Sequence, residues 1–269
     1  FAAVAIDHPG RTIAKNIKLQ GGHGTNDPTT GVVSVSGTLD ASDYSAGGHG
    51  GTVSVLGDRV GIFGAGHIDA SGDAGGGTVL VGGNRQGQGP ETNAQATYVG
   101  KDATITADAV TNGNGGSVVV WSDGVTRAHG EISVHGGSQS GNGGFVETSG
   151  KHDLEVAKTP DITATHGRGG FWLIDPDDLT IVSGNGNVNV NQVGNVFTSS
   201  GAGAQLGVDL VVAALGGGST VELRTGASAD PLGGTITLSA GVNLDYNGVG
   251  DATLSLFADR RIVIDGQIF

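Results

Sequence analysis

The chain has 269 residues, of which 53 are glycine, and it contains neither cysteine nor methionine. Its 26 acidic residues outnumber 13 basic ones, for a formal net charge of −13, which argues against nucleic acid or anionic lipid as a partner because both require a positively charged face. A composition without cysteine or methionine suits an extracellular or surface location. No apolar stretch approaches the roughly 20 residues that a bilayer-spanning helix needs, so no membrane span is expected.

A glycine doublet precedes a short apolar strand five times. The second glycines of these doublets stand at positions 51, 77, 116, 144 and 170, so the steps between them are 26, 39, 28 and 26 residues. One unit is therefore repeated, with a single loop insertion in the second step. The insertion is the polar segment near residues 84–97.

Two columns of apolar residues follow from the repeat, because residues two apart in a strand share a face. The first column contains Val53, Val79, Val118 and Val146. The second column contains Leu39, Ile68, Ile105, Ile132 and Ile162, each followed two positions later by a small residue. Polar residues flank the second column, so one face of each strand is expected to be dry and the other wet.

Short strands that repeat every 20 to 30 residues, with glycine at the corners, are typical of a stacked coil. The sequence therefore predicts an all-β fold, a parallel β-helix of roughly ten coils. Residues 1–182 form its regular part. The chain stops in mid-pattern at both ends, so we expect it to be a segment of something longer.

After residue 182 the pattern changes. Alternation through 185–193 predicts a strand, with Val188 and Val190 facing inward. Leu206, Leu210 and Leu215 stand near helical spacing and are followed by three glycines, which predicts a short helix over 204–215. Strands resume from residue 220, so residues 183–269 are expected to continue the coil.

Two acidic groups are the only candidates for a metal site, with Ca²⁺ as the ion. Asp40 and Asp69 occupy equivalent outward positions about 4.8 Å apart, where a cation would relieve their repulsion. Asp175, Asp177 and Asp178 form the second group at a coil corner. Solvated carboxylates are the favoured interpretation of both groups because the repeat lacks the calcium-binding Gly-Gly-x-Gly-x-Asp pattern. We therefore expect no metal and no cofactor.

Catalysis has no clear support in the sequence. The outward positions are mostly threonine, serine and scattered aspartate, whereas β-helix enzymes acting on polysaccharides carry carboxylates with lysine or arginine in a groove. We expect no catalytic residue. Trp172 is expected in the core, and the environment of Trp121 is left open.

The insertion is the best candidate for recognition, since loops on rigid scaffolds commonly bind partners. A surface loop with no binding role is equally compatible with its sequence. Its polar side chains include Asn84, Arg85, Gln86, Glu91 and Asn93.

Two segments carry a resemblance to a known family. They are Gly143-Gly-Phe-Val-Glu-Thr-Ser-Gly-Lys-His152 and Gly169-Gly-Phe-Trp-Leu-Ile-Asp-Pro-Asp-Asp-Leu-Thr-Ile181. Together with the glycine doublets they resemble the repeat region of large exoproteins of the filamentous haemagglutinin type. The similar region runs from about residue 51 to residue 181, and more loosely to the end.

The resemblance implies a right-handed β-helix that is exported through an outer-membrane transporter by two-partner secretion and is secreted or displayed on the cell surface. It also implies adhesion to a host or neighbouring cell, a glycan or a matrix. The Asn-Pro-Asn-Gly type motif of the family's secretion domain has no counterpart here, so a shaft segment is expected. A self-assembling extracellular filament or sheath is the alternative, and a carbohydrate-active β-helix enzyme is a weaker one.

Overall fold

The computed structural model describes residues 6–23, 31–185, 190–193, 196–199, 203–226, 233–248 and 250–269. Within these ranges the chain is almost entirely β-strand, arranged in long parallel sheets. The predicted fold class, a parallel β-helix interrupted by one short helix and one inserted loop, is confirmed.

The strands are short, most of them three to six residues. In chain order they are β1 (Ile6–His8), β2 (Arg11–Ile13), β3 (Asn16–Gln20), β4 (Val32–Val35), β5 (Thr38–Asp40), β6 (Thr52–Leu56), β7 (Arg59–Ile62), β8 (His67–Asp69), β9 (Thr78–Val81), β10 (Ala96–Val99), β11 (Thr104–Thr106), β12 (Ser117–Ser122), β13 (Val125–Ala128), β14 (Glu131–Ser133), β15 (Phe145–Gly150), β16 (Asp153–Val156), β17 (Phe171–Ile174), β18 (Leu179–Val182), β19 (Val190–Val193), β20 (Val196–Ser199), β21 (Ala204–Gly207), β22 (Thr220–Arg224), β23 (Thr235–Leu238), β24 (Asn243–Leu244), β25 (Thr253–Phe257), β26 (Arg261–Ile264) and β27 (Gln267–Ile268). One α-helix, α1, spans Val208–Gly216.

Three parallel sheets form the walls of the coil. Sheet A has ten strands in the order β1-β4-β7-β10-β13-β16-β21-β18-β23-β26, sheet B has five in the order β14-β11-β8-β5-β2, and sheet C has eight in the order β25-β22-β17-β15-β12-β9-β6-β3. Strands β24 and β27 form a separate parallel pair. At about 4.8 Å between strands, the nine spacings of sheet A correspond to about 43 Å along the axis.

The first apolar column runs in register along sheet C. Val53 pairs with Val79, Val79 with Val118, Val118 with Val146, and Val146 with Trp172. All five side chains are fully buried, and burying each valine stabilises the fold by roughly 1.5–3 kcal/mol. Trp172 lies in the core, where its indole N–H donates to the Thr148 hydroxyl at 2.9 Å.

The second column runs along sheet B, with one correction. Leu39, Ile68, Ile105 and Ile132 are register partners and are buried. Ile162 is buried too. The repeat spacing predicts that it lies beside Ile132, but the bridge between Ser133 and Asp161 places it beside Val134.

Pro160 lies at this shift in register. It precedes Asp161, so it occupies the place beside Ile132 that the repeat spacing gave to Ile162. The Asp161 backbone N–H donates to the Ile132 carbonyl at 2.9 Å, and the Val134 N–H donates to the Asp161 carbonyl at 2.8 Å, so a single bridge joins the two coils here.

The glycine doublets lie where backbones of adjacent coils approach closely. A Cβ at Gly116 would overlap the carbonyl oxygen of Gly77, and a Cβ at Gly144 would overlap that of Gly116. The residue before each also faces a carbonyl, as Gly115 faces that of Val134. The doublet glycines do not adopt positive φ, so close approach rather than an unusual backbone conformation requires them.

The C-terminal part continues the coil with an altered order. Strand β21 lies between β16 and β18 in sheet A although it follows both in the chain. The predicted helix is present as α1, but residues 204–207 belong to β21. In the segment expected to be one coil strand, residues 186–189 lie outside the described ranges, and β19 forms an antiparallel hairpin with β20.

Among the residues that the structure describes, no helix is long and apolar enough to cross a membrane.

Candidate functional site

The outer face of sheet C carries a row of large and polar side chains, one from each of five neighbouring coils. Trp121 is the register partner of Ser149, and Arg224 is the register partner of Phe257. Asp175 lies between them, directly after β17, and its backbone N–H donates to the Ser149 hydroxyl at 3.0 Å. We call Trp121, Ser149, Asp175, Arg224 and Phe257 the outer row.

The inserted loop covers one end of this row. It consists of residues 82–95, between β9 and β10, where the preceding coil connects β6 to β7 with only Gly57 and Asp58. Residues 96–97, which the sequence assigned to the insertion, belong to β10. A 3-10 turn at Arg85–Gly87 folds the loop back over sheet C.

Gln86 fastens the loop to two buried carboxyl groups. Its backbone φ of 53° is the only positive value for a non-glycine residue in the described part of the chain. Its backbone N–H donates to both carboxyl oxygens of Glu147, at 3.0 and 3.1 Å, and its side-chain amide donates to Asp175 Oδ2 at 2.9 Å.

Burial raises the pKa of both carboxyl groups. Glu147 has an exposed fraction of 0%, and this burial raises its pKa to about 8, against which the Gln86 hydrogen bond acts only in part. Burial also raises the pKa of Asp175, again with the Gln86 hydrogen bond opposing the change. Glu147 therefore holds a proton at neutral pH.

Trp121 lies beneath the loop and is 4% exposed. Its indole N–H donates to Asp123 Oδ1 at 3.0 Å, and the Asn93 amide donates to the same oxygen at 3.1 Å and to the Gly87 carbonyl at 2.8 Å. A Cβ at Gly87 would collide with the indole ring. The sequence left the environment of Trp121 open, and the structure places this side chain in a buried contact between the loop and the sheet.

The remaining candidate recognition residues also bind their own chain. The Asn84 side-chain amide donates to the Glu91 carbonyl oxygen at 2.7 Å, and the Glu91 carboxylate pairs with Lys18 at 2.7 Å. The Arg85 guanidinium lies 4.2 Å from the centre of the Phe145 ring. These side chains hold the loop on the coil.

A groove of about 1020 Å³ opens between the inserted loop and the C-terminal coils. It contains four carboxylates and two cations, together with amides and an aromatic ring. The carboxylates are Asp123, Asp175, Asp177 and Asp259, and the cations are Lys151 and Arg224. Phe257 and Gly226 lie at the far side of the groove.

Most charges in the groove have partners on the chain. Asp177 accepts from His152 Nδ1 at 2.8 Å, and the Arg224 guanidinium pairs with Glu222 at 2.8 Å while lying over the Phe257 ring. Asp175 Oδ1 is different, because it is buried and has no hydrogen-bond partner among the residues that the structure describes.

The two aspartates considered as a shared cation site each bind other groups of the chain. Asp40 and Asp69 are register partners, as predicted. However, Asp40 pairs with Arg11 at 2.7 Å, while Asp69 is buried and accepts from the Tyr44 hydroxyl at 2.6 Å. The hydrogen bond from the Ser42 hydroxyl holds the pKa of Asp40 below its usual value, whereas burial raises the pKa of Tyr44 to about 12. Each carboxylate thus has its own partners rather than only water.

The second acidic group is not a solvated corner, which corrects the favoured interpretation. Asp175 and Asp177 are buried, and Asp178 Oδ1 accepts the backbone N–H of Thr235 at 2.9 Å. The inserted loop and the C-terminal coils cover this corner, and neither contact is visible in the local sequence.

A further polar cluster lies on the outer face of sheet A. Arg127 is buried between Asp153 and Glu155, at 2.7 and 3.1 Å, and His129 Nε2 lies 3.1 Å from Glu155. Arg127 lies on β13 with His129 directly after it, and Asp153 and Glu155 lie on β16, so the cluster joins two neighbouring coils.

Nothing in the local sequence indicates that Glu147 lies beneath the inserted loop, or that Arg224 and Phe257 line one groove. The one feature of the sequence that could have indicated a role for Glu147 is that it is a single glutamate in an apolar strand of a repeat that also has an inserted loop. The loop contacts Glu147, which is 61 residues from Gln86 along the chain. Only the stacking of the coils brings these two residues together.

Among the described residues, no group of three or more histidine, aspartate or glutamate side chains could hold a metal ion. No protein-family model matches the chain, and no curated protein matches it.

Proposed function

We propose that this chain is a shaft segment of a secreted or cell-surface bacterial exoprotein, which acts as a stiff extracellular stalk and presents adhesive parts to a surface. The proposed partners are a host or neighbouring cell, a glycan or a matrix, and an outer-membrane transporter for export. The resemblance of 143–181 to filamentous haemagglutinin-type repeats supports this assignment.

The observation that carries the proposal is the continuous hydrogen bonding of sheet A from β1 to β26. Every coil is bonded to its neighbours through the backbone, and the apolar columns fill the interior. Bending such a rod requires stretching several parallel ladders at once, so the coil resists bending. Stiffness over length is the property that a stalk needs.

The location is tested by labelling a single cysteine, since the chain has none of its own. Lys101 is 81% exposed at its side chain, and Val120 is fully buried. In cells that produce the full-length protein, we expect a membrane-impermeant maleimide to label Lys101→Cys but not Val120→Cys. Labelling of Lys101→Cys only after cell lysis would contradict a surface location.

The stalk role is tested by electron microscopy of the native material. Single thin rods attached to cells or released from them are expected. Long fibres with a regular subunit repeat would overturn the stalk assignment and favour the self-assembling filament.

A further inference from the structure

The groove beside the inserted loop is long enough to hold an extended molecule. Its described residues come from five successive coils, from Trp121 to Phe257. Four spacings of about 4.8 Å give a length of about 19 Å along the axis. A chain-like ligand lying parallel to the axis therefore fits it better than a compact one.

The groove also contains an unused acceptor. Asp175 is 8% exposed, and within the described ranges its Oδ1 has no hydrogen-bond partner. The adjoining groove residue is Gly226, and a Cβ there would stand 3.9 Å from this oxygen. Because buried polar atoms are nearly always paired, the free oxygen marks a place for a donor supplied from the groove.

The lining favours hydroxyl groups as donors and acceptors. Amide side chains, which both donate and accept, line the loop side of the groove: Gln86, Gln88, Asn93 and Gln95. At the other end, the Phe257 ring is 48% exposed and offers an apolar surface. A set of convergent polar groups beside an aromatic ring suits a ligand with polar edges and an apolar face.

The charge of the groove restricts the class of ligand further. Four aspartates against Lys151 and Arg224 leave the groove negative, which disfavours uronic or sulfated sugars. A cationic peptide is less suitable, because Asp123 and Asp177 are already held by Trp121, Asn93 and His152.

We propose that this groove binds a neutral oligosaccharide, with the Phe257 ring against one sugar face and Asp175 accepting a sugar hydroxyl. This inference specifies the glycan named among the proposed partners and in that respect rests on the proposed function, whereas the groove itself does not depend on the shaft role.

The test is isothermal titration of the 269-residue chain with neutral hexasaccharides of α- and β-linked glucose, β-linked mannose and β-linked galactose. Hexagalacturonate and hexalysine serve as the anionic and cationic comparisons. We expect at least one neutral hexasaccharide to bind and hexagalacturonate not to bind.

Two variants locate the site. Phe257→Ala is expected to weaken binding at least tenfold. Phe269→Ala, at a more exposed phenylalanine that is not among the groove's lining residues, is expected to leave binding unchanged. Asp175→Asn is expected to weaken binding, with the exposed Asp102→Asn as its control. Thermal unfolding of each variant shows that the coil is intact.

Three results would overturn the proposal: no binding of any neutral hexasaccharide, binding of hexalysine alone, or unchanged affinity in both groove variants. None of them bears on the stalk, because rod shape and surface exposure are measured without a ligand.

Discussion

At the glycine doublets, the backbones of adjacent coils approach so closely that a β-carbon has no room. Gly116 faces the carbonyl oxygen of Gly77, and Gly170 faces that of Gly144 in the same way. Doublets recur at each coil because this contact recurs at each coil. A single glycine on the α-helix, Gly216, has open space around it and provides a natural comparison.

Gly116→Ala is expected to lower the free energy of unfolding by at least about 2 kcal/mol, since the added methyl group would force the coils apart. Gly216→Ala, with no atom within 4 Å of the new β-carbon, is expected to be neutral or slightly stabilising. Chemical denaturation of both variants measures the difference. Equal effects would show that the coils do not approach at the doublet.

A second residue-scale effect concerns Glu147, whose burial links stability to pH. Its pKa rises from 4.5 to about 8 on folding, so the folded state holds a proton that the unfolded state releases. The resulting stabilisation is complete below pH 4.5 and is lost as pH rises through 8. The change is on the order of 4 kcal/mol for this group alone.

Glu147→Gln keeps an acceptor for the Gln86 N–H but cannot ionise. We expect this variant to gain stability relative to the wild type as pH rises from 5 to 9, in thermal unfolding at matched ionic strength. Glu131→Gln, at a side chain that is 70% exposed, is expected to show no such trend. A pH-independent difference for Glu147→Gln would mean that the carboxyl group is not buried.

At the scale of elements, the inserted loop acts as a cover for sheet C. It buries Trp121 and Glu147 and forms one wall of the groove. The strands beneath it need no such cover in the preceding coil, where two residues make the same connection. The loop is therefore an addition to a complete coil.

Replacing residues 83–95 with Gly-Asp, the connection found between β6 and β7, keeps the strand register and is expected to leave the coil folded. Trp121 then becomes exposed, so its fluorescence should shift to longer wavelength, and sugar binding in the groove should be lost. Circular dichroism checks the fold. Loss of the β signal would show that the loop is part of the core, and an unshifted spectrum would contradict its role as a cover.

For the whole molecule, stability depends on contacts between neighbouring coils. In a stacked repeat each unit touches only the next, so damage at the centre divides the rod while damage at an end only frays it. Ile105 lies between Ile68 and Ile132 in the column of sheet B and is fully buried.

Ile105→Asp is expected to open the central coils, since an unpaired carboxylate cannot be buried without a large cost. Limited proteolysis should then cleave near residues 100–135 at protease concentrations that leave the wild type intact. Val110→Asp, a change at an exposed position in the same coil, is the control. Unchanged protease resistance of Ile105→Asp would contradict its place in the core.

The sequence by itself determined the coil. The spacing of glycine doublets and the alternation around Val53, Val79 and Val118 arise from contacts that repeat in every turn, so they leave a periodic trace in the chain. The position of the inserted loop and of the helix could be predicted for the same reason, because both interrupt the period.

Only the tertiary structure decided the shift of Ile162, the placement of β21 between β16 and β18, and the groove. The groove joins Gln86, Asp175 and Phe257, which belong to different coils and share no local pattern. Strand pairing fixes which residues of distant turns lie side by side, and a contact made once, between an insertion and the coils it lands on, leaves no period in the sequence.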